Sequence, residues 1–217
     1  MNQRLIVVQL RSLAQFLNFG KSDFPDIRSF NLYKKDQIYI HRNLFLSDFF
    51  NQKITNDDFQ QSEFGKPYLK EFPKFNFNHS HSQKNYALAM SDCFHDLGID
   101  VEDLDRKVRF EALAKHAFHP EELKLWNDLG QDSKFWFKVW TTKEAVLKAS
   151  GLGIRLNLNE LNTLVHPQQD GGICEHPELG VFAYQNFELP HVMITVAWRS
   201  ERSCKGFQFP QIQIFQN

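Results

Sequence analysis

Hydrophobic residues follow both strand and helix spacings along the chain. Short apolar runs at residues 5–10, 86–90, 181–184 and 192–198 predict strands, and a short strand is expected at residues 211–215. Apolar residues near helical spacing predict a helix within residues 26–51 and two helices within 108–129, the second starting at Pro120. Strands and helices are thus interleaved, and no low-complexity linker divides them. The pattern favours an α/β (α+β) fold.

Residues 98–102 combine strand spacing with acidic side chains. Ile99 and Val101 are predicted to face the core, so Asp100 and Glu102 project together from the opposite face. One interpretation is the wet edge of a strand, since alternating charged and aliphatic residues are typical of a solvated face. The other is a pair of oxygen ligands for Mg²⁺.

Residues 140–153 predict a helix with chemistry on one face. Thr141 is expected as the N-cap, with Glu144 completing a capping box, and Gly151 stops the helix. Glu144 and Lys148 are four residues apart and share a face. The pair is either a surface ion pair worth about 0.2–0.5 kcal/mol or part of a site.

Two shorter segments offer groups that bind anions. Gly65 and Pro67 flank Lys66, which places this lysine on a stiff turn. The alternation of residues 75–78 predicts a half-buried strand, and Asn78, His79 and Ser80 at its end offer hydrogen-bond donors to an anion. An ordinary surface turn and a structural histidine are the simpler alternatives.

Composition narrows the class of protein. The 217 residues are 42% hydrophobic and 24% charged, as in a folded globular protein, and the 22 Phe indicate an aromatic core. The net charge of −1 gives no overall attraction to nucleic acid or membranes. The N-terminal apolar run is too short for a membrane span. Cys93, Cys174 and Cys204 form no CxxC pair, which fits a reducing cytoplasm rather than a disulfide framework or a zinc site.

The acidic residues would need a cation between them if they lie close together in the fold. Two carboxylates about 4 Å apart repel by roughly 4 kcal/mol at an effective dielectric near 20, which a lysine alone does not offset. A divalent cation does, and oxygen-only ligands favour Mg²⁺ over zinc. The three carboxylates are Asp100, Glu102 and Glu144, and the donors for a bound phosphate are Lys66, His79 and Lys148. Such a set is suited to phosphoryl or phosphodiester chemistry.

Four motifs in order resemble those of the 4′-phosphopantetheinyl transferases, of the monomeric surfactin-synthetase-activating type. They are FGKP at residues 64–67, FNFNHS at 75–80, GIDVE at 98–102 and WTTKEAVLK at 140–148. The resemblance is clear over residues 64–153. The last two motifs, in this order and spacing, are highly specific.

The resemblance implies two similar halves related by a pseudo-twofold axis, residues 1–98 and 99–217, with the active site in the cleft between them. It implies Asp100, Glu102 and Glu144 as Mg²⁺ ligands, and Glu144 and Lys148 as catalytic residues. The residues it implies for contact with coenzyme A are Lys66, Pro67, Asn78, His79, Lys148 and, from the N-terminal half, Arg42 with Arg28 and Asn43 as further candidates. Asn78 stands where many members have Ser. Glu122 is expected in a supporting role.

The implied activity is that of a holo-[acyl-carrier-protein] synthase: transfer of 4′-phosphopantetheine from coenzyme A to a serine of an apo acyl, peptidyl or aryl carrier protein. The implied protein is a cytoplasmic monomer with no nucleic-acid or membrane partner. The candidates for a basic surface that contacts an acidic carrier protein are Arg106, Lys107, Arg109 and Lys115. The alternatives are a Mg²⁺-dependent pyrophosphohydrolase acting on coenzyme A or a nucleotide, and a non-catalytic binding module.

Overall fold

The structure, a computed structural model, describes residues 4–153, 156–200 and 209–216. Within those ranges the chain forms four α-helices and ten strands. The helices are α1 (Ile27–Phe50), α2 (Phe110–Ala117), α3 (Pro120–Asp128) and α4 (Ser133–Ser150). The strands are β1 (Leu5–Ser12), β2 (Phe59–Gln61), β3 (Pro67–Leu69), β4 (Asn76–His81), β5 (Asn85–Ser91), β6 (Gly98–Asp103), β7 (Gly171–His176), β8 (Gly180–Leu189), β9 (Val192–Arg199) and β10 (Gln211–Gln216). This mixture of helices and sheets confirms the predicted fold class.

The strands form two four-stranded sheets and a small hairpin. The first sheet has the order β10-β1-β5-β4, and the second has the order β6-β9-β8-β7. All pairs are antiparallel except β1 with β10, and β2 pairs only with β3. Both β4 and β6 are therefore edge strands of their sheets.

The two sheets share a core because alternate residues of each strand point to opposite faces. In β5, Leu88 packs with Leu46 of α1, whereas Ala87 packs in a separate cluster with Ile194 of the second sheet. The other face of the second sheet, including Tyr184, packs against α4 and its neighbouring helices. The layers are thus α1, first sheet, second sheet and α2–α4.

Most predicted elements are confirmed, including α1, the Pro120 start of α3 and the strand after residue 210. The expected helix start at Thr141 is wrong. Helix α4 begins eight residues earlier, at Ser133, where the Asp132 carboxylate accepts a hydrogen bond of 2.6 Å from the Phe135 N–H. Thr141 is buried and donates to the Phe137 carbonyl instead. The stop at Gly151 is confirmed, with φ of 75°.

Several features had no counterpart in the sequence pattern. Neither the β2–β3 hairpin nor β7 was predicted. Cys93 is exposed and Cys174 is buried, whereas Cys204 lies outside the described residues. In the described part of the chain, no helix is long and apolar enough to cross a membrane. The division at residue 98 stays a prediction.

Candidate active site

The site lies where β4 and β6, the two edge strands, run side by side. Three alternate side chains bond to the β6 segment: Asn78 and Ser80 of β4, and Ser82, which immediately follows β4. The bonds join Asn78 Oδ1 to the Ile99 N–H (3.0 Å), Ser80 Oγ to Asp100 Oδ1 (2.9 Å) and Ser82 Oγ to Asp103 Oδ1 (2.7 Å). The opposite face carries Phe77, which is buried as predicted. Polar side chains therefore join the two sheets where a backbone ladder does not.

Gly98 lets α4 approach β6 closely. A Cβ at this position would lie 2.1 Å from the Ala145 carbonyl oxygen and 2.5 Å from the Ala149 N, closer than real Cβ atoms come. No residue other than glycine fits without movement. This close contact brings the α4 face that carries Glu144 and Lys148 against Asp100.

Lys148 is bound to β6 rather than to Glu144. Its Nζ lies 2.6 Å from Asp100 Oδ1 and 2.8 Å from Ser80 Oγ. The alternative of a simple surface ion pair between Glu144 and Lys148 is therefore wrong, because Lys148 pairs with Asp100. The other Asp100 oxygen, Oδ2, is buried and has no hydrogen-bond partner among the described residues. An unpaired buried carboxylate oxygen is costly, so it is available to a cation or a donor.

Glu102 is buried and fully engaged. One Arg106 nitrogen contacts its two oxygens at 2.7 and 2.6 Å, and the Trp140 indole N–H donates to Oε1 at 3.1 Å. Burial raises the pKa of Glu102 to about 7, the neighbouring Asp100 charge adds to this, and Arg106 opposes it. All six residues of β6 are buried, so the wet-edge interpretation of the acidic strand is wrong.

Glu144 is half-buried beside Asp100. Burial raises its pKa, the Asp100 charge raises it further, and Lys148 opposes the shift. Within the described ranges its carboxylate has no hydrogen bond or ion pair. Glu144 thus lies near Asp100, and among the described residues its carboxylate makes no bond that stabilises the fold.

The acidic residues fit a divalent cation only in part. In residues 4–153, 156–200 and 209–216, no three Asp, Glu, His or Cys side chains are already grouped as a metal site. Like charges repel, and Arg106 and Lys148 hold two of the carboxylates instead. Asp100 Oδ2 and Glu144 are available as hard oxygen ligands of the kind Mg²⁺ uses. Glu102 becomes available only when Arg106 moves.

Lys66, on the turn before β3, reaches α4. Its Nζ donates to the Ala149 carbonyl at 2.7 Å, near the helix C-terminus, and burial lowers its pKa to about 8. Gly65 has φ of 86°, which confirms the special turn before it. Pro67 opens β3 and is half-buried. Lys66 therefore lies close to the end of the helix that carries Lys148.

His79 and Arg42 lie together on the α1 side of β4. His79 Nδ1 is buried without a partner among the described residues. Burial and then the Arg42 charge lower the pKa of His79 to about 3, so the ring is neutral at pH 7. The Arg42 guanidinium carbon lies 3.8 Å from the centre of the Phe59 ring and 4.7 Å from that of Tyr39. His79 can thus bind an anion as a neutral donor rather than as a cation.

The remaining candidates have structural or surface positions. Arg28 is exposed on α1, and Asn43 bonds to Asn56 and Arg42. Lys107 and Arg109 are exposed, and Lys115 pairs with Glu111 at 2.7 Å.

Glu122 lies in a buried ion pair next to α4, and its supporting role in the reaction stays a prediction. It forms a buried ion pair with Lys143, the residue before Glu144, at 2.7 Å. The Thr163 N–H donates to the same carboxylate at 2.8 Å, and Lys143 Nζ donates to the Leu158 carbonyl at 2.9 Å. This pair fixes α4 from the side opposite β6.

Sequence reasoning missed the partners of the acidic residues. Ser80 was noted only as an anion donor, Arg106 only as a possible rim residue, and Trp140 was given no role. The alternation of Asn78 and Ser80 along β4, continued by Ser82 just after the strand, was the available signal. Nothing in the sequence placed that face beside β6.

Comparisons with known proteins match the segment of the chain that carries these residues. Residues 96–195 match the family model described as the 4′-phosphopantetheinyl transferase superfamily. This segment contains β6, all of α4 and therefore Asp100, Glu102, Glu144 and Lys148.

Similar curated proteins carry related names. 4′-Phosphopantetheinyl transferase HetI of Nostoc sp. is 40% identical over 103 residues, covering 46% of this chain and 43% of that protein. 4′-Phosphopantetheinyl transferase Sfp of Bacillus subtilis is 30% identical over 117 residues, covering 53% and 50%. L-aminoadipate-semialdehyde dehydrogenase-phosphopantetheinyl transferase of Xenopus laevis is 30% identical over 116 residues, covering 48% and 38%. The chain thus spans half or less of the length of these relatives. The segment that carries the site, residues 96–195, is therefore similar to the 4′-phosphopantetheinyl transferase superfamily.

Proposed function

We propose that the protein transfers the 4′-phosphopantetheine group of coenzyme A to a serine hydroxyl of an apo carrier protein. The serine oxygen forms a bond to the phosphorus next to pantetheine, and the bond from that phosphorus to the bridging oxygen breaks. The products are holo carrier protein and adenosine 3′,5′-bisphosphate. The names of the similar proteins support this reaction and lend no support to a pyrophosphohydrolase.

One observation carries the proposal: Lys148, Asp100 and Glu144 lie together at the junction of the two sheets. Lys148 Nζ is held 2.6 Å from Asp100, and 30% of its side chain is exposed, so it can also reach a bound diphosphate. Asp100 Oδ2 is buried but unpaired, and the Glu144 carboxylate has no hydrogen bond or ion pair within the described ranges. Catalysis of phosphoryl transfer depends mainly on such positioning and charge stabilisation.

The roles follow from charge and position. Glu144 accepts the proton of the serine hydroxyl, directly or through water, and its raised pKa makes it a better base than an exposed glutamate. Lys148 neutralises charge on the leaving bisphosphate. Asp100, Glu144 and, once released, Glu102 would hold Mg²⁺. When bound, Mg²⁺ supplies Lewis-acid stabilisation of the diphosphate.

Residues of the N-terminal half provide the remainder of the coenzyme A site. Lys66 and the adjacent Pro67 lie near the end of α4, and His79 and Arg42 lie on the other side of β4. Asn78 uses its oxygen to bridge to β6, which leaves its amide N–H groups as the donors for the ligand. We propose the carrier contact at Lys107 and Arg109, which are exposed near β6. We also propose a monomer that acts in the cytoplasm.

Intact-mass measurement of apo carrier proteins tests the proposal. A panel of acyl, peptidyl and aryl carriers is incubated with the protein, coenzyme A and Mg²⁺. At least one carrier is expected to gain the mass of phosphopantetheine, and Glu144→Gln should abolish the gain. Glu188→Gln, at an exposed pair with Lys134, is the matched control and should retain it. Folded protein that modifies no carrier, or that consumes coenzyme A without one, would count against the proposal.

A further inference from the structure

Arg106 forms an ion pair with Glu102, a carboxylate that the proposed cation would need as a ligand. It follows β6 by three residues, where its N–H donates to the Asp103 carbonyl at 3.1 Å and turns the chain. Its side chain is 25% exposed and lies against Glu102, whose side chain is 9% exposed. The short contacts to both oxygens make this a charge-assisted interaction, stronger than a neutral hydrogen bond.

The two other acidic residues are held differently. Lys148 donates to only one oxygen of Asp100, Oδ1, and leaves the buried Oδ2 unpaired among the described residues. Glu144 carries no partner within the described ranges. Of the three carboxylates, Glu102 alone has both oxygens engaged, with Trp140 on one side and Arg106 on both. In the described part of the chain, Asp100 Oδ2 and Glu144 are therefore unpaired oxygen ligands for a cation, whereas Glu102 is already paired with a positive charge.

The charges of the site indicate what happens to Arg106 when a cation binds. Without a metal ion, three acidic residues face two basic ones, so a small negative charge remains. A divalent cation at Glu102 must displace the guanidinium, because both bind the same oxygens and repel each other at short distance. Arg106 is free to leave because it lies partly at the surface, on the turn after the strand. Trp140, at the edge of the core on α4, can keep the Glu102 carboxylate oriented meanwhile.

We infer that Arg106 is a positioning residue that competes with the divalent cation for Glu102 and so lowers the affinity of the site for metal. It keeps the buried carboxylate paired when the metal is absent and gives it up when the metal binds. This inference rests on the proposed function for the location of the cation. Its test measures cation binding, whereas the proposed function is tested by transfer.

Mn²⁺ binding to the full chain, followed by electron paramagnetic resonance or calorimetry, provides the test. Arg106→Gln is expected to lower the Kd for Mn²⁺ by about tenfold, equal to about 1.4 kcal/mol. Arg106→Lys keeps the competing charge and should stay within about threefold of wild type. Lys107→Gln removes the same charge from an exposed neighbour and should also stay within about threefold.

An unchanged or raised Kd in Arg106→Gln would overturn the inference, as would the absence of Mn²⁺ binding in both wild type and this variant. An equal gain in Lys107→Gln would also overturn it, since net charge alone would then explain the effect. Thermal unfolding of each variant verifies that it is folded. If transfer to carrier proteins is intact and the Kd does not respond to Arg106, only this inference fails.

Discussion

Gly98 should be the most sensitive position away from the reacting groups. In Gly98→Ala, the new Cβ starts 2.1 Å from the Ala145 carbonyl oxygen, whereas ordinary contact begins at 3.4 Å. Helix and strand must separate by about 1.3 Å at this point. The obstacle is backbone on both sides, so no side-chain rotation relieves it.

Two effects of different kind follow. Overpacking of a close helix–strand contact typically costs about 1–3 kcal/mol of unfolding free energy. A displacement of about 1 Å in a reacting group can cost about 100-fold in rate, and both Glu144 and Lys148 move with the helix. We therefore expect kcat/KM for carrier modification to fall by about 100-fold in protein that remains folded.

Urea unfolding and steady-state transfer kinetics measure the two effects. Gly20→Ala is the matched control, because Gly20 has φ of −92° and its nearest neighbour would be 3.7 Å from the added Cβ. Its unfolding free energy should change by less than about 0.5 kcal/mol. Wild-type stability and activity in Gly98→Ala would refute the argument that this glycine sets the geometry of the site.

Two further predictions concern buried charged or titratable groups. Lys143→Met should lower the unfolding free energy by about 3–5 kcal/mol, because it leaves Glu122 buried without its partner. Adding Glu122→Leu in the same chain should recover much of this loss. A double variant that is no more stable than Lys143→Met would contradict the prediction. His79 stays neutral in the folded state down to about pH 3 but binds a proton below pH 6.5 when unfolded. The unfolding free energy should therefore fall as pH decreases from 6.5, by about 2 kcal/mol near pH 5. Urea unfolding of His79→Gln should show a weaker dependence of the unfolding free energy on pH. The same pH dependence in both proteins would show that His79 is not buried in a neutral form.

The sequence was sufficient for elements with regular spacing. The apolar repeat in α1, the proline at the start of α3 and the alternation of β4 and β6 each report a local preference of the backbone. The start of α4 was misplaced because Thr141 and Glu144 imitate a capping box inside the helix. There, tertiary packing buries Thr141, and the local signal does not decide the structure.

The partners of the acidic residues depend on long-range packing. Ser80 and Asp100 are adjacent because two edge strands meet, and Lys66 contacts Ala149 across a sequence separation of 83 residues. No local pattern encodes these distances. The resemblance identified Asp100, Glu144 and Lys148 as a group, but the engagement of Glu102 by Arg106 was visible only in the structure.

The central claim is that the acidic residues at the junction of β4, β6 and α4 perform the transfer. Asp100→Asn tests it most directly, since it retains the shape of the side chain but removes its charge beside Lys148 and Glu144. Asp128→Asn, at an exposed pair with Lys124, is the matched control. We predict that the wild type and Asp128→Asn add phosphopantetheine to an apo carrier, whereas folded Asp100→Asn adds it at least about 100-fold more slowly. Modification by Asp100→Asn at the wild-type rate would contradict the account.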